Sequence, residues 1–182
     1  MKRGLLKEQM KIHPSQSLTS CFILTYKNLQ RQLLGYSYFL LLNVHPCARF
    51  SDPTWINHRD IFLKAGFTDV QPYTYLDYSS MTFNFHALLE CMRRSKPRTV
   101  FILHAQAHNP SGLDPSQDQW RQICEVMKTG QLIPFFDCAY QGWASGDLDR
   151  DAWAVRHFCD QGVEMMVSQS FGKVRRRHDK QL

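Results

Sequence analysis

The sequence predicts an α/β fold with a mostly parallel sheet flanked by helices. Three short apolar runs, at residues 99–103, 132–136 and 163–167, have the length of strands rather than helices. Amphipathic helical patterns alternate with them, and strands that are apolar on both faces are typical of parallel sheets covered by helices. The composition, with 43% apolar and 21% charged residues, indicates a globular protein and excludes overall disorder.

From residue 53 onward, cap and turn residues divide the chain into regular elements. Asn57 can cap a helix that stops at Gly66, and residues 70–75 have the pattern of a short strand, which Pro72 weakens. A second helix, which Pro97 ends, has an apolar face with helical spacing, made by Phe85, Leu88, Leu89 and Met92. This stretch therefore predicts the order helix, strand, helix ahead of the first fully apolar strand.

The helix between the first two apolar strands has the clearest signals. Asp114 is a candidate N-cap, Gln117 completes a capping-box pattern, and Gly130 is the expected stop. The apolar stripe of this helix consists of Trp120, Ile123, Cys124 and Met127. A further helix is predicted between Asp149 and Gly162, ahead of the third apolar strand.

The two ends of the chain differ from the central part. Residues 1–50 are expected to form a basic, irregular arm, because residues 1–32 are polar and basic with no sustained period. Residues 174–182 are expected to form a basic tail. The apolar run at 33–44 is too short to span a membrane, for which ~20 residues are needed, so we interpret it as a buried strand or helix. We therefore expect no membrane partner.

The net charge of +6 belongs to these ends. Residues 1–50 carry +6 and the last ten residues +4, whereas residues 51–172 carry −4. A basic nucleic-acid-binding face on the central domain is therefore not expected.

The cysteines and histidines predict no metal site. Six cysteines lie far apart without a CxxC pair, and no secretory signal is recognisable, which indicates free thiols in the cytoplasm. His104 and His108 are four residues apart, but no third ligand is spaced with them. We interpret both histidines as structural hydrogen-bonding residues.

Polar side chains follow each of the three apolar strands. Asn109 lies in the segment after the first, Asp137 and Tyr140 follow the second, and Ser170 and Lys173 follow the third. In a parallel sheet, ligands bind beyond these carboxyl ends. A carboxylate, an amine, hydroxyls and an amide at one edge suit a cofactor with a pyridinium, a phenolic oxygen and an aldehyde. Spacing alone makes this a hypothesis, because Asp and Lys are common at strand ends.

Three long segments and one short one resemble the aspartate aminotransferase family of cytosolic type, whose members are pyridoxal-phosphate enzymes of fold type I. They read DPTWINHRDIFLKAGF, HAQAHNPSGLDPSQDQW, PFFDCAYQGWASGDLDRDAWAVRHF and QSFGK. They agree with the family in order and spacing from about Pro53 to Lys173. The resemblance implies that residues 51–173 form part of that family's large domain, and that the full-length protein is a homodimer.

The resemblance also implies roles at the sheet edge. Lys173 would bind the aldehyde of pyridoxal 5'-phosphate and move the proton between the substrate α-carbon and the cofactor. Asp137 would pair with the pyridine nitrogen, and His58 would support Asp137 from beneath the ring. Tyr140 and Asn109 would bond the ring oxygen, with Asn109 also near the substrate carboxylate.

Two further positions complete the implied site. Trp55 would stack on the ring beside the substrate, and Ser170 would bond the cofactor phosphate. The implied reaction transfers an amino group between L-aspartate and 2-oxoglutarate, so an amino acid and a 2-oxo acid are the expected partners.

The chain departs from the family near its C-terminus. Gly172 replaces a serine, and Gln181 stands where the family has an arginine that binds the phosphate. We therefore expect the chain to be an incomplete segment of the enzyme. The alternative that remains open is an inactive aminotransferase-fold fragment that acts as a binding or interaction module.

Overall fold

The computed structural model describes residues 21–25 and 47–170. The strands among these residues are β1 (Cys21–Thr25), β2 (Cys47–Asp52), β3 (Asp69–Thr74), β4 (Leu76–Asp77), β5 (Thr82–Phe83), β6 (Val100–His104), β7 (Ile133–Cys138) and β8 (Met165–Gln169). The helices are α1 (His58–Lys64), α2 (Phe85–Arg94), α3 (Gln117–Thr129), α4 (Leu148–Asp151) and α5 (Trp153–Asp160).

Within the described part of the chain, six strands form one sheet in the order β1-β8-β7-β6-β2-β3, and every pairing in it is parallel. Strands β4 and β5 form a separate antiparallel pair. The predicted α/β class with a mostly parallel sheet is therefore confirmed. Strands β6, β7 and β8 are neighbours, with His104 opposite Asp137 and Asp137 opposite Ser168. The carboxyl ends of these strands therefore meet at one edge.

Helices cover both faces of this sheet. Successive strand residues point to opposite faces, so β6 and β7 are buried on both sides. One core lies between the sheet and helices α2, α3 and α5, and it includes Leu88, Leu103, Ile123, Phe136 and Phe158. The other core lies against α1 and includes Phe62, Val100, Ile102 and Phe135. This double burial explains why the three runs are continuously apolar.

The predicted start of α3 was wrong by two residues. Ser116, not Asp114, is the N-cap, and its side chain forms a capping box with Gln119. Asp114 is engaged elsewhere, because its carboxylate accepts hydrogen bonds from the backbone N–H groups of Ala107 and His108 at 2.7 and 2.9 Å. Gly130 is the C-cap, as predicted.

The helix predicted between Asp149 and Gly162 is two helices, α4 and α5, which share Ala152 as C-cap and N-cap. The N-cap of α4 is Asp147, whose carboxylate accepts from the N–H groups of Asp149 and Arg150. A cap pattern was present in the sequence, but three aspartates within five residues left its position ambiguous.

Two strands lie in the segment that we expected to be an irregular arm. Strand β2 pairs with β3 and β6, and β1 pairs with β8, so residues 1–50 are not irregular at these places. The partner of β1 is about 140 positions away in the chain, and a local pattern does not report such pairing. The apolar run at 33–44 and the tail at 174–182 lie outside the described residues.

Candidate functional site

Asp137 marks the centre of the candidate site. It lies near the end of β7, and 13% of its side chain is exposed. The segment after β2 leads directly into α1, and this places His58, the first residue of that helix, against Asp137. The Nε2 atom of His58 is 3.3 Å from Oδ2 of Asp137, and the His58 side chain is only 1% exposed. The sheet edge therefore holds a carboxylate that is supported by a buried imidazole.

A chain of hydrogen bonds continues from His58 across the sheet. Thr54 Oγ1 lies 2.7 Å from His58 Nδ1 and 3.4 Å from His104 Nε2. His104 Nδ1 accepts the backbone N–H of Asn109 at 3.1 Å. The chain thus connects Asp137 on β7 to the loop that carries Asn109.

The hydrogen bonds in this series all donate in the same direction, from the Asn109 amide toward Asp137. A backbone N–H can only donate, so His104 Nδ1 must accept, and a neutral His104 carries its proton on Nε2. His104 Nε2–H then donates to Thr54, and the Thr54 hydroxyl donates to His58 Nδ1. On the other side of the ring, His58 Nε2 faces Oδ2 of Asp137 and donates to it. This order leaves the Asp137 carboxylate as the final acceptor.

Burial keeps His104 and its neighbour His108 neutral. Desolvation, with smaller contributions from His108 and His58, lowers the pKa of His104 to about 3. Desolvation and the effect of His58 lower the pKa of His108 to about 4. His108 is bonded on both ring nitrogens, to Ser51 and to Ser111 at 2.8 Å each. The interpretation of both histidines as hydrogen-bonding residues is confirmed.

We expect the free energy of unfolding to fall as the pH is lowered through this range. Unfolded histidines have a pKa of ~6.5, so below that pH the unfolded chain binds protons that folded His104 and His108 do not bind. The loss is about 2 kcal/mol per histidine at pH 5, and it is absent above pH ~7. Urea denaturation at pH 7.5, 6 and 5 measures it.

The variant His104→Asn retains an acceptor for the Asn109 amide and should lose the contribution of one histidine to this pH dependence. His86→Gln is the matched control, because His86 is exposed on α2. A pH dependence that is equal in wild type and His104→Asn would contradict the assignment of a buried, neutral His104.

Trp55 and Asn109 lie beside this hydrogen-bonded chain. The Trp55 indole is half-buried, and its ring centroid is 5.4 Å from that of His58 in an edge-on arrangement. Asn109 is also half-buried, and its backbone amide is the donor to His104. Both residues are therefore joined to Asp137 through contacts with histidines.

Tyr140 and Ser170 follow β7 and β8 at the same edge. The carbonyl of Tyr140 accepts the N–H of Trp143 at 2.9 Å, so a turn begins at the tyrosine. The N–H of Ser170 donates to the carbonyl of Cys138, the residue after Asp137, at 3.2 Å. Both residues are half-buried. Lys173 lies outside the described residues, so its predicted role stays a prediction.

Three features of the site were missed by sequence reasoning. Thr54 bridges the two histidines, Asp151 binds the loop after Tyr140, and Gln141 is hydrogen-bonded to Gln169. The position of Thr54 four residues before His58 was a possible signal for the first. The other two pairings bring together separate elements and have no local signature.

Other kinds of site have no support in the described residues. Among residues 21–25 and 47–170, no group of three or more His, Cys, Asp or Glu side chains could hold a metal ion. The five cysteines whose side chains are described are free, as predicted. No helix within the described ranges is long and apolar enough to cross a membrane.

Comparison with known proteins identifies relatives of this chain. The profile of the family described as aminotransferase class I and II matches residues 33–175. The chain is 51% identical to the cytoplasmic aspartate aminotransferase of Gallus gallus over 123 residues, which cover 68% of this chain and 30% of that protein. It is 52% identical to the cytoplasmic aspartate aminotransferase of Caenorhabditis elegans, with the same coverage. The chain thus spans about 30% of the length of these relatives.

Solved structures agree with the sequence matches. The aspartate aminotransferase of Trypanosoma cruzi matches with a TM-score of 0.73 and 41% identity, over 76% of this chain and 36% of that one. The aromatic-amino-acid aminotransferase of Burkholderia pseudomallei, solved covalently bound to pyridoxal phosphate, matches with a TM-score of 0.73 and 39% identity, over 77% of this chain and 35% of that one. The family profile covers most of the chain and the same fold recurs in solved aminotransferases, so the chain belongs to the class I and II aminotransferase family.

Proposed function

We propose that this chain is an aspartate aminotransferase-like protein, which uses pyridoxal 5'-phosphate to transfer an amino group between L-aspartate and 2-oxoglutarate. The observation that carries the proposal is the contact of the buried His58 with Asp137 at the carboxyl edge of the sheet. The identity to cytoplasmic aspartate aminotransferases supports the choice of substrates. Because the chain spans about 30% of those relatives, the proposed activity is that of the complete protein.

The chemistry of the described residues fits this cofactor. Asp137 offers a carboxylate acceptor for a pyridinium N–H, and His58 supports this carboxylate from Nε2. Half-buried Asn109, Tyr140 and Trp55 provide an amide, a phenol and an indole on the segments that follow β6, β7 and β2. These are the groups required by a flat, polar aromatic ring with a basic nitrogen and a phenolic oxygen.

Each residue then has a distinct task. When bound, pyridoxal phosphate supplies an electron sink for negative charge on the substrate α-carbon. Asp137 would hold a proton on the ring nitrogen, while Tyr140 and Asn109 would donate to the ring oxygen. Trp55 would cover one face of the ring. These contacts bind and orient the ring while keeping water from that face.

Three residues would contact the phosphate, the substrate and the aldehyde. Ser170 would donate its hydroxyl to the phosphate, and Asn109 would also contact a substrate carboxylate. Lys173 would hold the aldehyde and take the proton from the substrate α-carbon. Such a lysine requires a pKa below its ordinary value of ~10.4 in order to act near neutral pH.

The binding step can be tested directly. The chain is incubated with an equimolar amount of pyridoxal phosphate, reduced with borohydride, digested and analysed by mass spectrometry. We expect the phosphopyridoxyl group on Lys173, because a lysine amine that meets the aldehyde in a binding site reacts ahead of solvated lysines. Lys173→Ala should remove this label.

Labelling spread evenly over the other lysines, or unchanged in Lys173→Ala, would contradict the proposal. Lys64→Ala is the matched control, because Lys64 is exposed on α1. A separate measurement, the transfer of ¹⁵N from ¹⁵N-aspartate to 2-oxoglutarate by chain that binds pyridoxal phosphate and has not been reduced, then distinguishes binding from turnover.

A second function is favoured by the departure at the C-terminal segment. Gln181 lacks the charge of the family's phosphate-binding arginine, and charge-assisted hydrogen bonds contribute roughly 1.5 to 3 kcal/mol each. A chain that folds but takes no label would instead be an aminotransferase-fold binding or interaction module without activity. The borohydride experiment distinguishes the two functions.

We also propose the organisation and setting of the complete protein. Residues 51–173 form the large-domain segment, to whose sheet β1 and β2 also contribute, and residues 174–182 form a basic tail. The likeness to cytoplasmic aspartate aminotransferases supports a cytoplasmic location. The homodimer is proposed from the family resemblance of the sequence. The acidic central part gives no support to nucleic acid as a partner.

A further inference from the structure

A buried carboxylate organises the loop that follows Tyr140. Asp151, the last residue of α4, is only 6% exposed. Its Oδ2 atom accepts the N–H groups of Gly142 at 2.7 Å and Ala144 at 3.1 Å. Its Oδ1 atom accepts both the N–H of Ser145, at 3.1 Å, and the Ser145 hydroxyl, at 2.5 Å. Four donors within four consecutive residues therefore converge on one side chain.

The same loop is tied to β8 by a pair of glutamines. The Gln141 amide donates from Nε2 to the carbonyl of Leu148 at 3.0 Å, and its Oε1 accepts from Nε2 of Gln169 at 3.0 Å. Gln169 is the last residue of β8 and directly precedes Ser170. The residue that follows Tyr140 is thus linked to the strand that leads to the proposed phosphate contact.

Much of this loop is exposed to solvent. Trp143, Ala144 and Ser145 are exposed, and Gly142 and Gly146 have φ angles of +85° and +82°, a region in which glycine is free and other residues are strained. A loop with two such glycines loses considerable backbone entropy when it becomes ordered. Hydrogen bonds to a buried carboxylate are about twice as strong as neutral ones and can offset this loss.

We propose that Asp151 is a positioning residue, which holds the loop 141–146 and thereby fixes the side chain of Tyr140 at the sheet edge. Its effect on pyridoxal phosphate rests on the proposed function, because there Tyr140 bonds the ring oxygen. Its effect on the position of Tyr140 does not depend on the cofactor.

The position of Tyr140 can be measured without cofactor. The full chain is labelled with 3-fluorotyrosine, which gives at most seven ¹⁹F signals because it has seven tyrosines. The Tyr140→Phe variant identifies the signal of residue 140. We expect Asp151→Asn to shift or broaden this signal, because an asparagine side chain has one acceptor oxygen in place of two and turns an NH₂ group toward backbone donors.

Two further variants keep this measurement decisive. Asp149→Asn makes the same chemical change on the same helix, at a residue paired with Arg156, and should leave the Tyr140 signal unchanged. Ser145→Ala removes the hydroxyl bond to Asp151, together with the contacts of the same oxygen with the backbone of Asp147, and retains the three backbone bonds to Asp151. It should therefore shift the signal in the same direction by a smaller amount. If Asp151→Asn does not fold, Ser145→Ala decides the question.

The effect on the cofactor is tested by a double-mutant cycle on the dissociation constant of pyridoxal phosphate. We expect Tyr140→Phe and Asp151→Asn each to raise it by about tenfold, the value of one hydrogen bond near 1.4 kcal/mol. In the Tyr140→Phe background, Asp151→Asn should add less than about twofold, because the phenol that it positions is gone. If Asp151 did not act through Tyr140, the increases in the dissociation constant caused by the two substitutions would multiply.

The outcomes separate this inference from the proposed function. An unchanged Tyr140 signal in both Asp151→Asn and Ser145→Ala overturns the positioning role. If these variants shift the Tyr140 signal but the wild-type chain binds no pyridoxal phosphate, the positioning role is supported and the proposed function is lost. Multiplicative effects in the cycle overturn the role of Asp151 toward the cofactor.

Discussion

Replacing Asp137 with asparagine is expected to raise the dissociation constant of pyridoxal phosphate by roughly 10- to 100-fold, because a hydrogen bond to a charged group contributes about 1.5 to 3 kcal/mol. Asparagine has nearly the same shape and retains an oxygen that can accept from His58 Nε2. The substitution therefore removes the negative charge and preserves the contact at 3.3 Å. The loss in affinity measures the charge that Asp137 offers to a protonated ring nitrogen.

Titration of the chain with pyridoxal phosphate, followed by the absorbance of the bound cofactor, gives the two dissociation constants. Asp60→Asn is the matched control, because it removes an exposed acid from the first turn of α1 beside the same site. If Asp137→Asn and Asp60→Asn bind equally well, Asp137 does not pair with the ring nitrogen. Circular dichroism verifies that both variants are folded.

Truncating Phe158 to alanine is expected to lower the free energy of unfolding by about 3 to 5 kcal/mol. Phe158 on α5 is fully buried, and its ring packs edge to face on that of Phe136, with centroids 5.0 Å apart. Its ring also meets that of Trp120 on α3 edge to face, with centroids 6.1 Å apart. The variant therefore leaves a cavity where two helices meet the sheet. Domains of this size are stable by about 5 to 15 kcal/mol, so the loss is a large share.

Urea denaturation at pH 7.5 measures this loss. Phe158→Leu should cost less than Phe158→Ala, because leucine refills part of the cavity. Ile56→Ala is a surface control: Ile56 is 84% exposed, and its truncation should change the free energy by no more than about 0.5 kcal/mol. Equal stability of Phe158→Ala and Ile56→Ala would show that this core does not hold the helices on the sheet.

Much of the fold was predictable because its signals are local. The central strands appear as apolar runs, since both their faces are buried, and α3 appears as a stripe that ends at Gly130. Errors arose where one type of residue has competing uses. Asp114 has the chemistry of an N-cap but accepts backbone donors from the loop before it, and Asp147 rather than Asp149 caps α4.

The candidate site was predictable to a different degree. The positions of Asp137, Tyr140 and Ser170 after their strands could be read from the chain order and the rule for parallel sheets, and resemblance supplied the roles of Trp55 and His58. The couplings between these residues could not be read. The bonds of His58 to Asp137 and of Thr54 to His104 join residues that are 79 and 50 positions apart in the chain. A hydrogen bond between such distant segments leaves no period or spacing in the sequence.

The sequence by itself determined the α/β class, the residues at the carboxyl edge of the sheet and the family. The tertiary structure decided how these residues are connected. It showed that β1 and β2 belong to the sheet, that Thr54 and His104 join Asp137 to the loop of Asn109, and that Asp151 binds the loop after Tyr140. Local backbone preferences and side-chain burial are encoded residue by residue, whereas the pairing of β1 with β8 and the bonds of His58 to Asp137 and of Thr54 to His104 exist only once distant parts of the chain have come together.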